Sequence, residues 1–218
     1  MAETYPRPRF GQPREPRNRV DPGALLAGVL AVVTKSHVRT AAFLLACGLL
    51  LFLPGFFNIP PIDRDEARFA QATKQMVESG DLVDIRFQDE VRYKKPVGIY
   101  WMQAAAVETA SALGLPRAQV RIWLYRVPSL IGALGAMLLT YWAALAFVTR
   151  KAAVLAGLIM GSSVLLGVEA RLAKTDSMLL FATVAAMGAL ARVYLSWQRG
   201  EDPVQPPWTS PERHVEKE

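Results

Sequence analysis

Five long apolar blocks separated by polar stretches set the pattern of this chain. They run from Thr40 to Phe57, Val97 to about Leu115, Val127 to Val148, Ala152 to Val168 and Ser177 to Trp197. A bilayer crossing needs about 20 apolar residues in a helix, so each block is a candidate span. The second is interrupted by Glu108. A shorter apolar run, Gly23 to Thr34, covers only about 12 residues and predicts an interfacial helix rather than a crossing. It ends at the basic segment Lys35-Ser-His-Val-Arg39. The expected fold class is therefore all-α, a polytopic transmembrane helical bundle of about five spans.

Between the first two blocks, residues 58–96 form a polar loop with helical periodicity of its own. From Asp65 to Ser79, Phe69, Ala72, Thr73, Met76 and Val77 share one face, and Arg68, Gln71, Lys74, Gln75 and Glu78 fall mostly on the other. Asp63 suits the N-cap with Glu66 at the third helical position, a capping-box spacing, and Gly80 suits the stop. The pattern predicts an amphipathic juxtamembrane helix lying along the membrane surface.

Composition agrees with a membrane protein: 52% of the 218 residues are hydrophobic and the formal net charge is +6. The single cysteine, Cys47, excludes a disulfide framework or a cysteine metal site within one chain. Only His37 and His214 are present, which argues against a histidine-rich metal centre. The positive charge is densest in the proline-rich residues 1–22, which predict a disordered basic tail and lack the aromatic platform of single-strand binders; no nucleic-acid partner is expected. That tail is too long and too broken by proline for the charged region of a usual signal peptide. Residues 198–218 predict a second disordered polar tail. The remaining divisions are 23–39, interfacial helix and basic flank, and 40–197, the transmembrane region.

Basic residues in short flanks orient a membrane chain. Lys35, Arg39 and the tail arginines precede the first block, whereas the 58–96 loop balances seven basic residues against eight acids. The N-terminus is expected in the cytoplasm, with the acidic loop outside and Arg117, Arg121 and Arg126 inside. Five simple crossings then place Asp176 opposite Asp65 and put Thr149-Arg-Lys151 outside, against the same rule. A short, re-entrant or merged helix between Val97 and Val168 would remove both conflicts.

Three polar clusters stand at block ends. Asp63, Asp65 and Glu66 follow the first block, where helix capping, at about 0.3–1 kcal/mol each, explains acids as well as chemistry does. Lys94 and Lys95 precede Pro96, with Tyr100 and Trp101 just inside the second block. They read as snorkelling cations with an aromatic belt, or as a lysine placed for a lipid phosphate. Glu169-Ala-Arg-Leu-Ala-Lys-Thr-Asp176 separates the last two blocks; Asp176 suits a helix cap, and Arg171 and Lys174 suit interfacial charges.

Taken together, Asp65-Glu-Ala-Arg-Phe-Ala70, Glu78-Ser-Gly-Asp81, Lys95-Pro96 with Tyr100-Trp101, Arg126-Val-Pro-Ser129 and Ala170-Arg-Leu-Ala-Lys-Thr-Asp176 carry a resemblance. In this order and spacing they resemble the N-terminal part of bacterial membrane glycosyltransferases related to protein O-mannosyltransferases and aminoarabinose lipid A transferases, over about residues 40–197. The resemblance implies a site on the periplasmic side of the inner membrane. It also implies a polyprenyl-phosphate sugar donor and a lipid or protein acceptor, among membrane lipids. By it, Asp65, Glu66 and Asp176 are the catalytic acids. Lys95, with Lys94, Arg68, Tyr100 and Arg171, binds substrate, Lys95 at the carrier phosphate. A carboxylate to orient or deprotonate the acceptor and a cation for the leaving phosphate suit that chemistry.

Relatives often carry an acid where Lys94 stands, so the cofactor is unknown and a divalent metal is left open. Family members are considerably longer, so the chain is expected to be truncated relative to them, with a separately encoded C-terminal part as one way to complete it. Two other readings stand beside the transferase. One is a catalytically silent membrane protein acting as partner subunit or remnant; the other is a small transporter, disfavoured by the lack of matched half-helix breaks.

Overall fold

The computed structural model describes residues 22–198. Both expected tails lie outside the described residues, save for Pro22 and Gln198, which end helices. Eight α-helices follow in chain order: α1 (Pro22–Val33), α2 (His37–Phe52), α3 (Arg64–Ser79), α4 (Gly98–Ala112), α5 (Ile122–Ala144), α6 (Arg150–Gly161), α7 (Val164–Glu169) and α8 (Asp176–Gln198). A 3-10 turn, Ala118–Val120, precedes α5. The loop after α3 also holds a small hairpin absent from the all-α expectation, β1 (Arg86–Phe87) paired antiparallel with β2 (Glu90–Val91). Gln75 on α3 docks the hairpin turn, receiving the Gln88 N–H at 2.8 Å and donating to the Gln88 carbonyl at 3.2 Å.

Of the five expected spans, α5 and α8 are single helices long and apolar enough to cross a membrane, by length and composition. The first block gives a 16-residue helix that starts earlier and stops sooner than expected, turning at Leu53 to Phe57. The second gives 15 residues. The fourth is two helices, α6 and α7, parted at Ser162-Ser163.

α5 is the centre of the fold, packed against α2, α4, α6, α7 and α8. Small residues let α8 approach it closely. A Cβ on Gly132 would stand 2.7 Å from the Ser177 carbonyl carbon and 2.8 Å from the Met178 nitrogen, backbone atoms that cannot rotate away. Gly132→Ala is therefore expected to cost about 1–3 kcal/mol through overpacking. Thermal unfolding in detergent reads it, and an unchanged midpoint would contradict the close approach.

Contacts sort the loops into two ends. At one, Arg150 donates to the Thr34 carbonyl (2.9 Å) and to His37 Nε2 (3.0 Å). With Nε2 accepting, His37 Nδ1 carries the hydrogen and donates to the Tyr141 hydroxyl at 2.8 Å. The α1–α2 and α5–α6 turns thus meet. At the other end, Arg126 holds the carbonyls of Phe56, Ile59 and Pro60, and Ser129 holds Lys174. Arg126 and Tyr141 lie about 22 Å apart along α5, at ~1.5 Å per residue.

This arrangement differs from the expectation that Arg117, Arg121 and Arg126 lie at the opposite end from the acidic loop. The Tyr125 hydroxyl donates to the Gln119 carbonyl, and Val107 packs with Ala118, Leu124, Tyr125 and Ala173. The 113–121 connection and the start of α5 therefore share an end with the acidic loop. Lys174, two residues before Asp176, meets Asp63 at that same end, and Arg150 lies at the other.

Candidate active site

α3 forms as its sequence requires. Asp63 is the N-cap and accepts from the Asp65 N–H at 2.8 Å, and Gly80 closes the helix in the left-handed region at φ 73°. Phe69, Ala72, Thr73 and Met76 are buried as expected. Their cover is protein rather than membrane surface: Phe69 stacks on Tyr100 with ring centroids 5.3 Å apart, and Thr73 donates to Gln103 on α4 at 2.6 Å.

Glu66 departs from the capping box. It sits at the third helical position, but its carboxylate turns inward with the apolar face and is fully buried. There Oε1 accepts from Arg126 Nε at 2.7 Å and from the Ala173 N–H at 3.2 Å. Arg126, also fully buried, spends its other nitrogens on the carbonyls of Phe56 (3.0 Å), Ile59 (2.8 Å) and Pro60 (3.4 Å). One ion pair thereby ties the end of the first apolar block, the start of α3, the start of α5 and the turn before α8.

That turn is the third cluster. Ser129 Oγ donates to the Lys174 carbonyl at 3.0 Å and receives the Lys174 N–H at 3.4 Å. The Lys174 ammonium reaches Asp63 Oδ2 at 2.5 Å and Glu169 Oε1 at 3.8 Å. Burial works against the charged ammonium, but the Asp63 hydrogen bond and the charges of Glu169, Asp63 and Asp176 outweigh it, leaving the Lys174 pKa raised. The Lys174 hydrogen bond, helped by the Asp65 N–H, in turn holds the Asp63 carboxyl below its usual range.

The expected site residues fall into three groups. Asp65 is exposed, with Arg68 at 3.3 Å as its ion-pair partner, and Asp176 is the exposed first residue of α8 rather than its cap. Both stand at the end where Asp63, Glu66 and Lys174 meet. Lys94 and Lys95 are exposed in the turn before α4 and have no polar partner among the described residues. Among the described residues no hydrogen bond or ion pair joins them to Asp65.

Tyr100 and Arg171 are both engaged by the protein itself. Tyr100 is fully buried against Phe69 instead of lying in an interfacial belt, whereas Trp101 is exposed and donates to the Leu82 carbonyl at 2.7 Å. Arg171 donates to the Pro54 carbonyl at 2.8 Å and also to Leu51 and Gly167, so its guanidinium pins the end of α2.

Sequence reasoning gave no role to Arg126, treated Asp63 as a cap alone and read Lys174 as an interfacial charge. A charge so near the start of a long apolar helix was the available signal for Arg126. Beside α3 and α4 lies an apolar cleft of about 570 Å³, lined in part by Met76, Val77, Leu82, Trp101 and Ala104, to which Glu108 adds a carboxylate. Among the described residues no group of three or more histidine, cysteine, aspartate or glutamate side chains is placed to hold a metal ion.

A family model described as dolichyl-phosphate-mannose-protein mannosyltransferase matches residues 61–208, a span that contains Asp63, Asp65, Glu66, Lys95, Arg126, Lys174 and Asp176. The chain belongs to this family. Membership in the dolichyl-phosphate-mannose-protein mannosyltransferase family makes it a membrane glycosyltransferase in general terms, in keeping with α5 and α8 as candidate spans. No curated protein and no solved structure gives a match.

Proposed function

We propose that the protein transfers a sugar from a polyprenyl-phosphate donor to a lipid or protein acceptor at the periplasmic face of the bacterial inner membrane. One observation carries this reading: segments 63–66 and 169–176, over 100 residues apart, meet at one end of the bundle and leave Asp65 and Asp176 exposed there. Lys35, Arg39, Arg150 and Lys151 gather at the opposite end, which the positive-inside rule makes cytoplasmic. Multiple crossings follow, with α6 and α7 together returning the chain to the site.

In the proposed reaction the acceptor oxygen attacks the anomeric carbon as the bond to the carrier phosphate breaks. Asp65, with Asp176 as the second acid, takes the acceptor proton, and polyprenyl phosphate leaves with the bonding pair toward Lys95. Arg68 steadies Asp65, and Lys94 adds positive charge beside Lys95. Glu66 holds the site together through Arg126 rather than reacting. The cleft beside Trp101 suits an apolar chain.

The test is sugar transfer by the purified protein in detergent from a polyprenyl-phosphate sugar. Lys95→Ala is expected to raise the donor KM by about tenfold, the loss of one charge-assisted contact of ~1.4 kcal/mol. An unchanged KM would return Lys95 to a snorkelling role, and absence of transfer from any such donor would overturn the reading.

A further inference from the structure

We propose that Lys174 is a positioning residue that fixes Asp65 through Asp63, a role that rests on the transferase reading above. The two oxygens of Asp63 are divided between two tasks. Oδ1 accepts from the backbone N–H of Asp65 at 2.8 Å, while Oδ2 is held by the Lys174 ammonium at 2.5 Å. One carboxylate thus couples the backbone of Asp65 to a side chain two residues before Asp176.

Lys174 is itself held on every side. Its main chain is bonded to Ser129 in both directions, the preceding Ala173 N–H is fixed by Glu66, and its ammonium is backed by Glu169. Its side chain is only 16% exposed, against 36% for Asp63. The better anchored partner is therefore the lysine, and it sets where the Asp63 carboxylate points. Without the ammonium, Oδ2 is released to water and Asp63 becomes a free like charge two residues from Asp65. The first turn of α3 can then shift, and displacements of about 1 Å in a reacting group can cost on the order of 10²-fold in rate.

Two measurements separate this role from the transferase reading. Thermal unfolding in detergent without substrate compares Lys174→Met, Asp63→Asn and the double variant. Coupling is expected, with the double losing clearly less in Tm than the sum of the singles; additive losses would overturn the contact whatever the protein transfers. Transfer kinetics then compare Lys174→Met with Lys174→Arg. The methionine variant is expected to lose about 10²-fold in kcat with little change in donor KM, and the arginine variant, which keeps the charge, to retain most of the rate. Wild-type kcat in Lys174→Met, or equal losses in both variants, would overturn the positioning role. Should Lys174→Met fail to fold, Lys174→Gln replaces it under the same criteria. A failure of Asp65→Asn to impair transfer would instead overturn the reading of the site itself.

Discussion

Arg126→Met is expected to destabilise the protein by about 3–5 kcal/mol, the largest effect of any single substitution considered. The guanidinium and the Glu66 carboxylate are both fully buried, 2.7 Å apart, so removing one leaves an uncompensated charge inside the protein. Glu66 Oε2 already lacks a hydrogen-bond partner among the described residues, which leaves the carboxylate little to fall back on. Stabilities of ordinary domains lie at about 5–15 kcal/mol, so such a loss takes a large share of the whole. Chemical unfolding in detergent, by the shift in midpoint, measures it.

A second variant separates the charge from the hydrogen bonds. Arg126→Met with Glu66→Leu removes both charges and should recover much of the loss, because an apolar pair of similar volume replaces a buried ion pair well. Recovery is expected to stop short of wild type. The carbonyls of Phe56, Ile59 and Pro60 lose their donor, and a buried unsatisfied acceptor such as that of Phe56 costs about 1–3 kcal/mol. Wild-type stability in the double would show that those three contacts contribute nothing.

Asp65→Asn is expected to have the opposite signature, lowering transfer by at least about 10²-fold, the contribution of a positioned acid or base. Its side chain is 53% exposed and pairs only with Arg68 one turn away, a surface pair of little energetic weight. Unfolding should therefore match wild type to within about 0.5 kcal/mol. On the proposed reading the neighbouring residues divide the work, Asp65 serving the reaction and Glu66 the architecture. Transfer at the wild-type rate in Asp65→Asn would remove Asp65 from the chemistry, and a large loss of stability would show that it carries structure instead.

Much of the local structure was legible in the residues. The limits of α3 followed from Asp63 and Gly80, because a cap and a left-handed stop act within a few residues of the chain. Its buried face followed from the spacing of Phe69, Ala72, Thr73 and Met76, since side chains three and four apart share a side of a helix. The break at Ser162-Ser163 was not legible, because the block is apolar on both sides and nothing local demands a continuous helix. Nor was the side on which Arg117, Arg121 and Arg126 lie. Counting basic residues assigns a loop its side only when each preceding block is a full crossing, and α4 has only 15 residues.

What the sequence determined by itself was the helical class, the apolar blocks, the amphipathic helix after the first of them and the polar clusters at the block ends. Hydrophobic periodicity and capping are local, and a short window contains all that they need. Only the tertiary structure decided that Glu66 faces Arg126, 60 residues away, and that Asp63 meets Lys174. A buried charge is satisfied by whichever partner the packing of helices brings within about 3 Å, and that partner is set by the fold as a whole. The acids after the first block read alike along the chain; packing turned one inward as a clamp, made one a bridge and left Asp65 open to solvent.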